Sequence, residues 1–460
     1  MGRYWRISLL LTLALLWRAE GGDTATPDKA GPGEAGAAVS TPAWEMPEKE
    51  RKRLRDALYD YLRPGKKTRQ EMLEPLTKFI EKEIDGHSPF ADVAAWVEAA
   101  VHTRDVNPKA GRKGAIKEVE VPPEVHGFPG GVGTVKYFVY LPKDYNEKQN
   151  YPLLFCLQDT KTWPDPDKYI EEQWVKPSGK IAAEFIVAAP VPAAKGDAWT
   201  KATAYARAMI SLRHAMGGFE MDRKDAGPAT DMRRVFVAGD DVAALAAARF
   251  GEMFCGAILI HCDGRASSGP DLTKVGGISG VPAYVVCDAK KKNHREFADR
   301  IKSANDASAI VESLVAEDAA TWMAARPPVG PANHLEYAVH DSSFQRHHWI
   351  TILAFDAASA TGTPKVMATA DRVANRIRVE VSGVTRFELF VNDAMVDLSK
   401  PVAVVIAEGG KDYEFLSEIP ARDLGTLLEE LVASNHPWRI YPVKLVVDLP
   451  KLRERQPAAG

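Results

Sequence analysis

Asp240 and Asp241 close a short apolar run that ends at Gly239, and His261 and Asp263 follow the next such run, Ala257 to Ile260. If both runs are strands of one sheet, three carboxylates and an imidazole converge at a single edge. Two chemistries suit such a set. Asp241 could attack an electrophilic carbon to form an ester intermediate, with His261 as the base for a hydrolytic water. The acidic groups could instead hold a divalent metal, but their spacing is no recognised ligand pattern, so no metal or other cofactor is expected. A carboxylate at a helix start is also favoured with no chemistry at all.

Other reactive residues have simpler readings. Cys156, Cys255, Cys262 and Cys287 are widely spaced and contain no Cys-x-x-Cys pair, which excludes a disulfide framework and a zinc ribbon. Cys262 and Cys287 fall at one sheet edge, so they are either an oxidised pair, if their Cα atoms come within about 7 Å, or buried thiols. His340, His347 and His348, beside Trp349, read as surface or interdomain packing at the entry to a β region. Ser267-Ser268 reads as loop and Lys290-Lys291-Lys292 as a solvated turn.

The elements that would position these residues follow from periodicity. Residues 1–21 combine Arg3 and Arg6 with an apolar run from Ile7 to Trp17, too short for a spanning helix, and small residues after it. That is a signal-peptide pattern, so a secreted or periplasmic protein is expected, with no membrane partner after cleavage. Residues 22–41 are a Gly-, Ala- and Pro-rich linker. Residues 42–104 carry helical periodicity, with Thr68 and Glu71 at capping-box spacing. From 118 to 328, runs such as Val135 to Tyr140, Leu153 to Leu157, Val235 to Ala238 and Ile310 to Leu314 alternate with Ala-rich helices, which predicts a mostly parallel, two-sided α/β sheet. Residues 334–450 alternate in short segments parted by turn signals, which predicts an antiparallel β domain with one helix at Asp423 to Val432. With 59 basic against 62 acidic residues, the chain has no field to hold nucleic acid.

The order of these elements resembles a family. Tyr137-Phe138-Val139-Tyr140-Leu141-Pro142 with Asp144-Tyr145, then Tyr151 to Phe155, resembles the opening of secreted α/β-hydrolases of the feruloyl-esterase, dienelactone-hydrolase and prolyl-oligopeptidase-like kind. Asp231 to Gly239 is similar to the stretch leading into that family's nucleophile elbow. The resemblance covers roughly residues 120 to 330 and implies an α/β-hydrolase-like fold with esterase-like chemistry.

Four stations of the family's chemistry depart from its pattern. The elbow Gly-x-Ser-x-Gly corresponds to Gly239-Asp240-Asp241-Val242-Ala243, with Asp241 where the Ser stands. The oxyanion loop reads Gln158-Asp159-Thr160, whose carboxylate repels developing negative charge. Lys291 stands near the place of the orienting acid, with Asp288 out of register, and the expected histidine loop reads Val315-Ala316-Glu317-Asp318. The resemblance thus implies a hydrolase scaffold without its triad, acting by binding or structural interaction. Its pocket would lie at the sheet's C-terminal edge, lined by Gln158, Asp159, Asp240, Asp263 and Asp288 and suited to a small molecule or glycan. The alternative is an active hydrolase that uses Asp241, or another site.

Overall fold

The computed structural model describes residues 44–455 apart from 63–67, 84–89, 91, 104–105, 108, 127–131, 193–198, 200–201, 218–225, 264–279, 330–331, 339–345, 357–363 and 435–438. The expected signal peptide and linker, Ser267-Ser268 and His340 lie outside the described residues.

Three helices, α1 (Glu48–Leu62), α2 (Arg69–Glu83) and α3 (Val93–His102), make the N-terminal region. Helix α1 buries Leu54, Leu58, Tyr61 and Leu62, one apolar stripe at helical spacing. The capping box forms at α2, where Thr68 N donates to Glu71 Oε2 (2.5 Å) and Glu71 N to Thr68 Oγ1 (3.4 Å). Asp92 caps α3 through Ala95 N (2.9 Å) and also accepts from Met46 N (2.6 Å), tying the chain before α1 to α3.

The central sheet is built from β1 (Ile116–Val121), β2 (Val135–Tyr140), β3 (Tyr151–Leu157), β4 (Ile186–Pro190), β5 (Thr230–Gly239), β6 (Gly256–Ile260), β7 (Ala283–Val286) and β8 (Ala309–Val311). Its order is β1-β2-β4-β3-β5-β6-β7-β8. Strand β2 runs against both neighbours, and every pair from β4 to β8 is parallel. Alternate residues feed opposite cores, as the pleat requires. Phe155, Leu157, Val235 and Val237 pack on one face, with α4 (Ala202–Met216), α5 (Asp241–Arg249) and α6 (Lys292–Ala304). Leu154, Cys156, Phe236 and Ala238 pack on the other, with Trp174, Ile181 and helix α7 (Ala316–Ala324). The fold is α/β-hydrolase-like.

Three details correct the sequence reading. Strand β1 straddles the expected start at 118. The strand expected at Ile310 to Leu314 is the shorter β8. The expected loop Val315 to Asp318 is the start of α7, where Glu317 Oε2 accepts from Ser178 Oγ (2.6 Å) and Lys180 N (3.4 Å) of the neighbouring turn, a long-range partnership that local sequence does not encode.

The C-terminal part holds β9 (His334–Ala338), β10 (Arg346–His347), β11 (Ile350–Phe355), β12 (Lys365–Asp371), β13 (Arg376–Ser382), β14 (Val384–Val391), β15 (Val402–Glu408), β16 (Lys411–Glu418), helix α8 (Leu424–Ser434), β17 (Val443–Asp448) and helix α9 (Leu449–Arg455). They form sheets in the order β10-β11-β14-β17 and β16-β15-β13-β12-β9, antiparallel except for β13 with β15. Strand β16 is an additional, largely polar edge strand. A buried ionic junction joins the two regions: Arg439 pairs with Glu252, and Arg346 holds Glu430 through two bonds of 3.0 and 2.7 Å. Among the described residues, no helix is long and apolar enough to cross a membrane.

Candidate functional site

The C-terminal ends of β3, β5, β6 and β7 deliver Gln158 and Asp159, Asp240 and Asp241, His261 to Asp263, and Cys287 and Asp288 to one edge of the sheet. Gly239 is the pivot. It pairs with Leu157 in the ladder, and a Cβ there would stand 2.1 Å from the Leu157 carbonyl oxygen and 3.2 Å from Ala243 Cβ. Only glycine permits this approach.

The next two residues cap and begin helix α5. Asp240 has φ −85° and caps α5, its Oδ1 accepting from Val242 N at 3.0 Å. Asp241 is already helical, and its Oδ1 accepts from Asp263 N at 3.2 Å, which straps the helix start to the turn after β6. Among the described residues, the non-glycine positions with positive φ are His261 (54°), His348 and Asn375, so the left-handed backbone at this edge belongs to His261.

The charges here are negative and crowded. Burial pushes the Asp240 carboxyl above its ordinary value, the Val242 amide opposes this, and Asp159 adds to it. Burial would also raise Asp159, but bonds from the Thr162 hydroxyl (2.6 Å) and Lys161 N (3.0 Å) outweigh it and hold that carboxyl below the usual range. Cys262 is a buried free thiol, pushed well up by burial and then by Asp241, Asp240 and Asp263. Cys287 is free and buried as well, so both stand as thiols in this structure.

Gln158 is fully buried, and among the described residues neither side-chain amide atom has a partner, while its backbone oxygen accepts from Trp199 Nε1 at 2.8 Å. Asp288 Oδ1 accepts from Lys290 N at 3.0 Å, and Lys291 begins α6 without a side-chain cap.

Sequence reasoning missed His294, in the first turn of α6. Its ring lies 6.1 Å from that of His261, and its Nδ1 is buried with no partner among the described residues. Burial holds it below the ordinary imidazole value, with Lys291 and His261 acting the same way and Asp263 and Asp288 opposing. Among the described residues, no three His, Cys, Asp or Glu side chains gather to hold a metal. Cavities of 190 Å³ beside Arg386 and Asp448 and of 210 Å³ beside Lys117 and His214 are lined by none of the residues of this edge.

No family model matches the sequence, and no curated protein matches it. Solved structures do. A thermostable esterase matches at 19% identity and TM-score 0.31, over 43% of this chain and 53% of that one. A ferric enterobactin esterase from Salmonella typhimurium matches at 10% identity and TM-score 0.28, over 42% of this chain and 50% of that one. The match thus spans about half the length of each of these two esterases. A Pyrobaculum calidifontis esterase matches at 11% identity and TM-score 0.28, over 52% of this chain and 87% of that one.

Proposed function

We propose that this chain is an exported protein of esterase-like fold that does not hydrolyse esters and works by binding a small molecule or glycan at the C-terminal edge of its sheet. The observation that carries the reading is the backbone at the elbow. A nucleophile there stands on a strained turn that lifts it from the strand end. Asp241 instead begins the helix and spends a carboxylate oxygen on the Asp263 amide. The surroundings support the same reading, because Asp159 and Asp240 put negative charge where ester hydrolysis needs hydrogen-bond donors for an oxyanion. Export rests on the signal-like pattern of residues 1–21.

One observation favours the alternative of Asp241 attack with His261 as base: His261 carries the left-handed backbone at this edge and has a second imidazole beside it. The experiment compares the purified chain with Asp241→Ala and Asp241→Ser, using short-chain nitrophenyl esters and a fluorophosphonate probe. The expected result is no turnover by any of the three and no covalent label, even on Asp241→Ser, whose hydroxyl would sit on a helical backbone. Ester hydrolysis by the unmodified chain that vanishes in Asp241→Ala overturns the binding reading and establishes the alternative.

A further inference from the structure

The cavity beside Arg386 belongs to the β domain and has no part in the sheet edge described above. Helix α9 packs against β14 and β17 of one sheet and β16 of the other, so it crosses the seam between them. The space at that seam, 190 Å³, has a lining of two kinds. Its apolar wall is Phe415 from β16, Val446 from β17 and Leu452 from α9. Leu452 is buried, but Phe415 is half-buried and Val446 is 40% exposed, so part of this wall stands open to solvent.

The charged wall holds three cations, Arg386, Lys451 and Arg455, against one carboxylate, Asp448. Topology sets them side by side. Arg386 of β14 stands directly opposite Asp448 of β17, and Lys451 and Arg455 are one turn apart on α9. Asp448 is engaged twice, its Oδ1 accepting from Lys451 N at 3.3 Å and its Oδ2 pairing with Lys451 Nζ at 3.5 Å. That pair cancels, which leaves the wall with the two guanidinium charges of Arg386 and Arg455. Glu388, opposite Val446 in the ladder, is outside the lining.

We propose that this cavity binds a small organic monoanion, a carboxylate carried on an apolar ring or short chain, with its charge on the guanidinium side and its body on Phe415, Val446 and Leu452.

Each part of the lining excludes other classes. The surplus of guanidinium charge favours an anion and repels amines and metal cations, and the planar fork of Arg suits a carboxylate. Inorganic phosphate would leave the apolar wall uncovered. The volume equals that of about six waters at about 30 Å³ each, well below the roughly 300 Å³ at which drug-sized sites begin. A nucleotide or an oligosaccharide therefore does not fit, and a body of about six to ten non-hydrogen atoms does.

The test follows para-fluorobenzoate by fluorine NMR as it binds the full chain, beside Arg386→Gln, Arg455→Gln and Val446→Thr. All three positions are exposed, so the variants should keep the fold, and their melting temperatures check this. One saturable site per chain is expected, weakened about tenfold by either arginine change and about threefold by Val446→Thr. Neutral para-fluorobenzamide should bind about tenfold more weakly than the carboxylate, and an equal concentration of inorganic phosphate should not displace it. No saturable binding, equal affinity for the amide, displacement by phosphate, or undiminished affinity in any of the three variants overturns the proposal. None of these residues belongs to the sheet edge, so failure here is separate from failure of the binding reading proposed for that edge.

Discussion

Replacing Gly239 by alanine isolates the physical demand that the elbow makes on this scaffold. The added Cβ would lie 2.1 Å from the Leu157 oxygen, 3.0 Å from its carbon and 3.2 Å from Ala243 Cβ. The first two are backbone atoms of the paired central strand β3, so no side-chain rotation relieves the contact. The φ of 155° adds a second cost, since side-chain-bearing residues rarely adopt it. A disallowed backbone conformation costs about 1–3 kcal/mol and forcing a methyl group into a packed core about 1–3 kcal/mol more, so a loss of about 4 kcal/mol is expected. Gly133→Ala is the control, because Gly133 has φ 63° with nothing within 4 Å among the described residues, and it should lose only about 1–2 kcal/mol. Urea unfolding followed by tryptophan fluorescence measures both, with the slope checked for constancy. If Gly239→Ala loses no more than Gly133→Ala, the close approach to β3 is not what holds glycine at this position.

Two further outcomes follow from buried charge. Because the Asp240 carboxyl titrates above its ordinary 3.8, its favourable contribution is complete below that value and is lost as pH rises through the folded-state value. Asp240→Asn keeps the acceptor for Val242 N, so it should be more stable than the parent near pH 7, with the difference shrinking near pH 4; equal melting temperatures at both pH values would refute the assignment. At the junction, Arg439→Met leaves Glu252 buried and unpaired, and a loss of about 3–5 kcal/mol is expected, much of it recovered when Glu252→Leu is added. A double variant no better than the single one in urea unfolding would show that the junction is not governed by charge burial.

What the sequence made legible was local or periodic. Val135–Tyr140 is a strand to the residue, and Thr68 and Glu71 cap as their spacing predicts. Each depends on side chains within a turn or two. The misses depend on partners distant in the chain. Strand β1, Ile-Lys-Glu-Val-Glu-Val, has a single fully buried residue and is held by its register with β2. Strand β16 is an exposed edge whose polar residues hide its alternation. The parallel pairing of β13 with β15 is a property of topology that no local pattern carries. His294 entered the candidate edge only when α6 was placed after β7, and the burial of His347 and His348 only when the β domain closed over them.

The carboxylates at the candidate edge are each tied into the fold that carries them. Asp159 bonds the Thr162 hydroxyl and Lys161 N, Asp240 caps α5, Asp241 straps Asp263 N, and Asp288 holds Lys290 N. Each acceptor satisfies a donor that a loop or helix start would otherwise leave exposed. In exchange, the edge gathers like charges: burial, with a smaller push from Asp159, raises the Asp240 carboxyl, while its hydrogen bonds hold Asp159 low. Removing one of these aspartates therefore leaves an unpaired amide as well as lowering the charge. On the proposed binding reading, building a serine nucleophile here would take more than placing a serine at 241: the helix start would have to move off Asp241, and the Asp263 amide would need another acceptor.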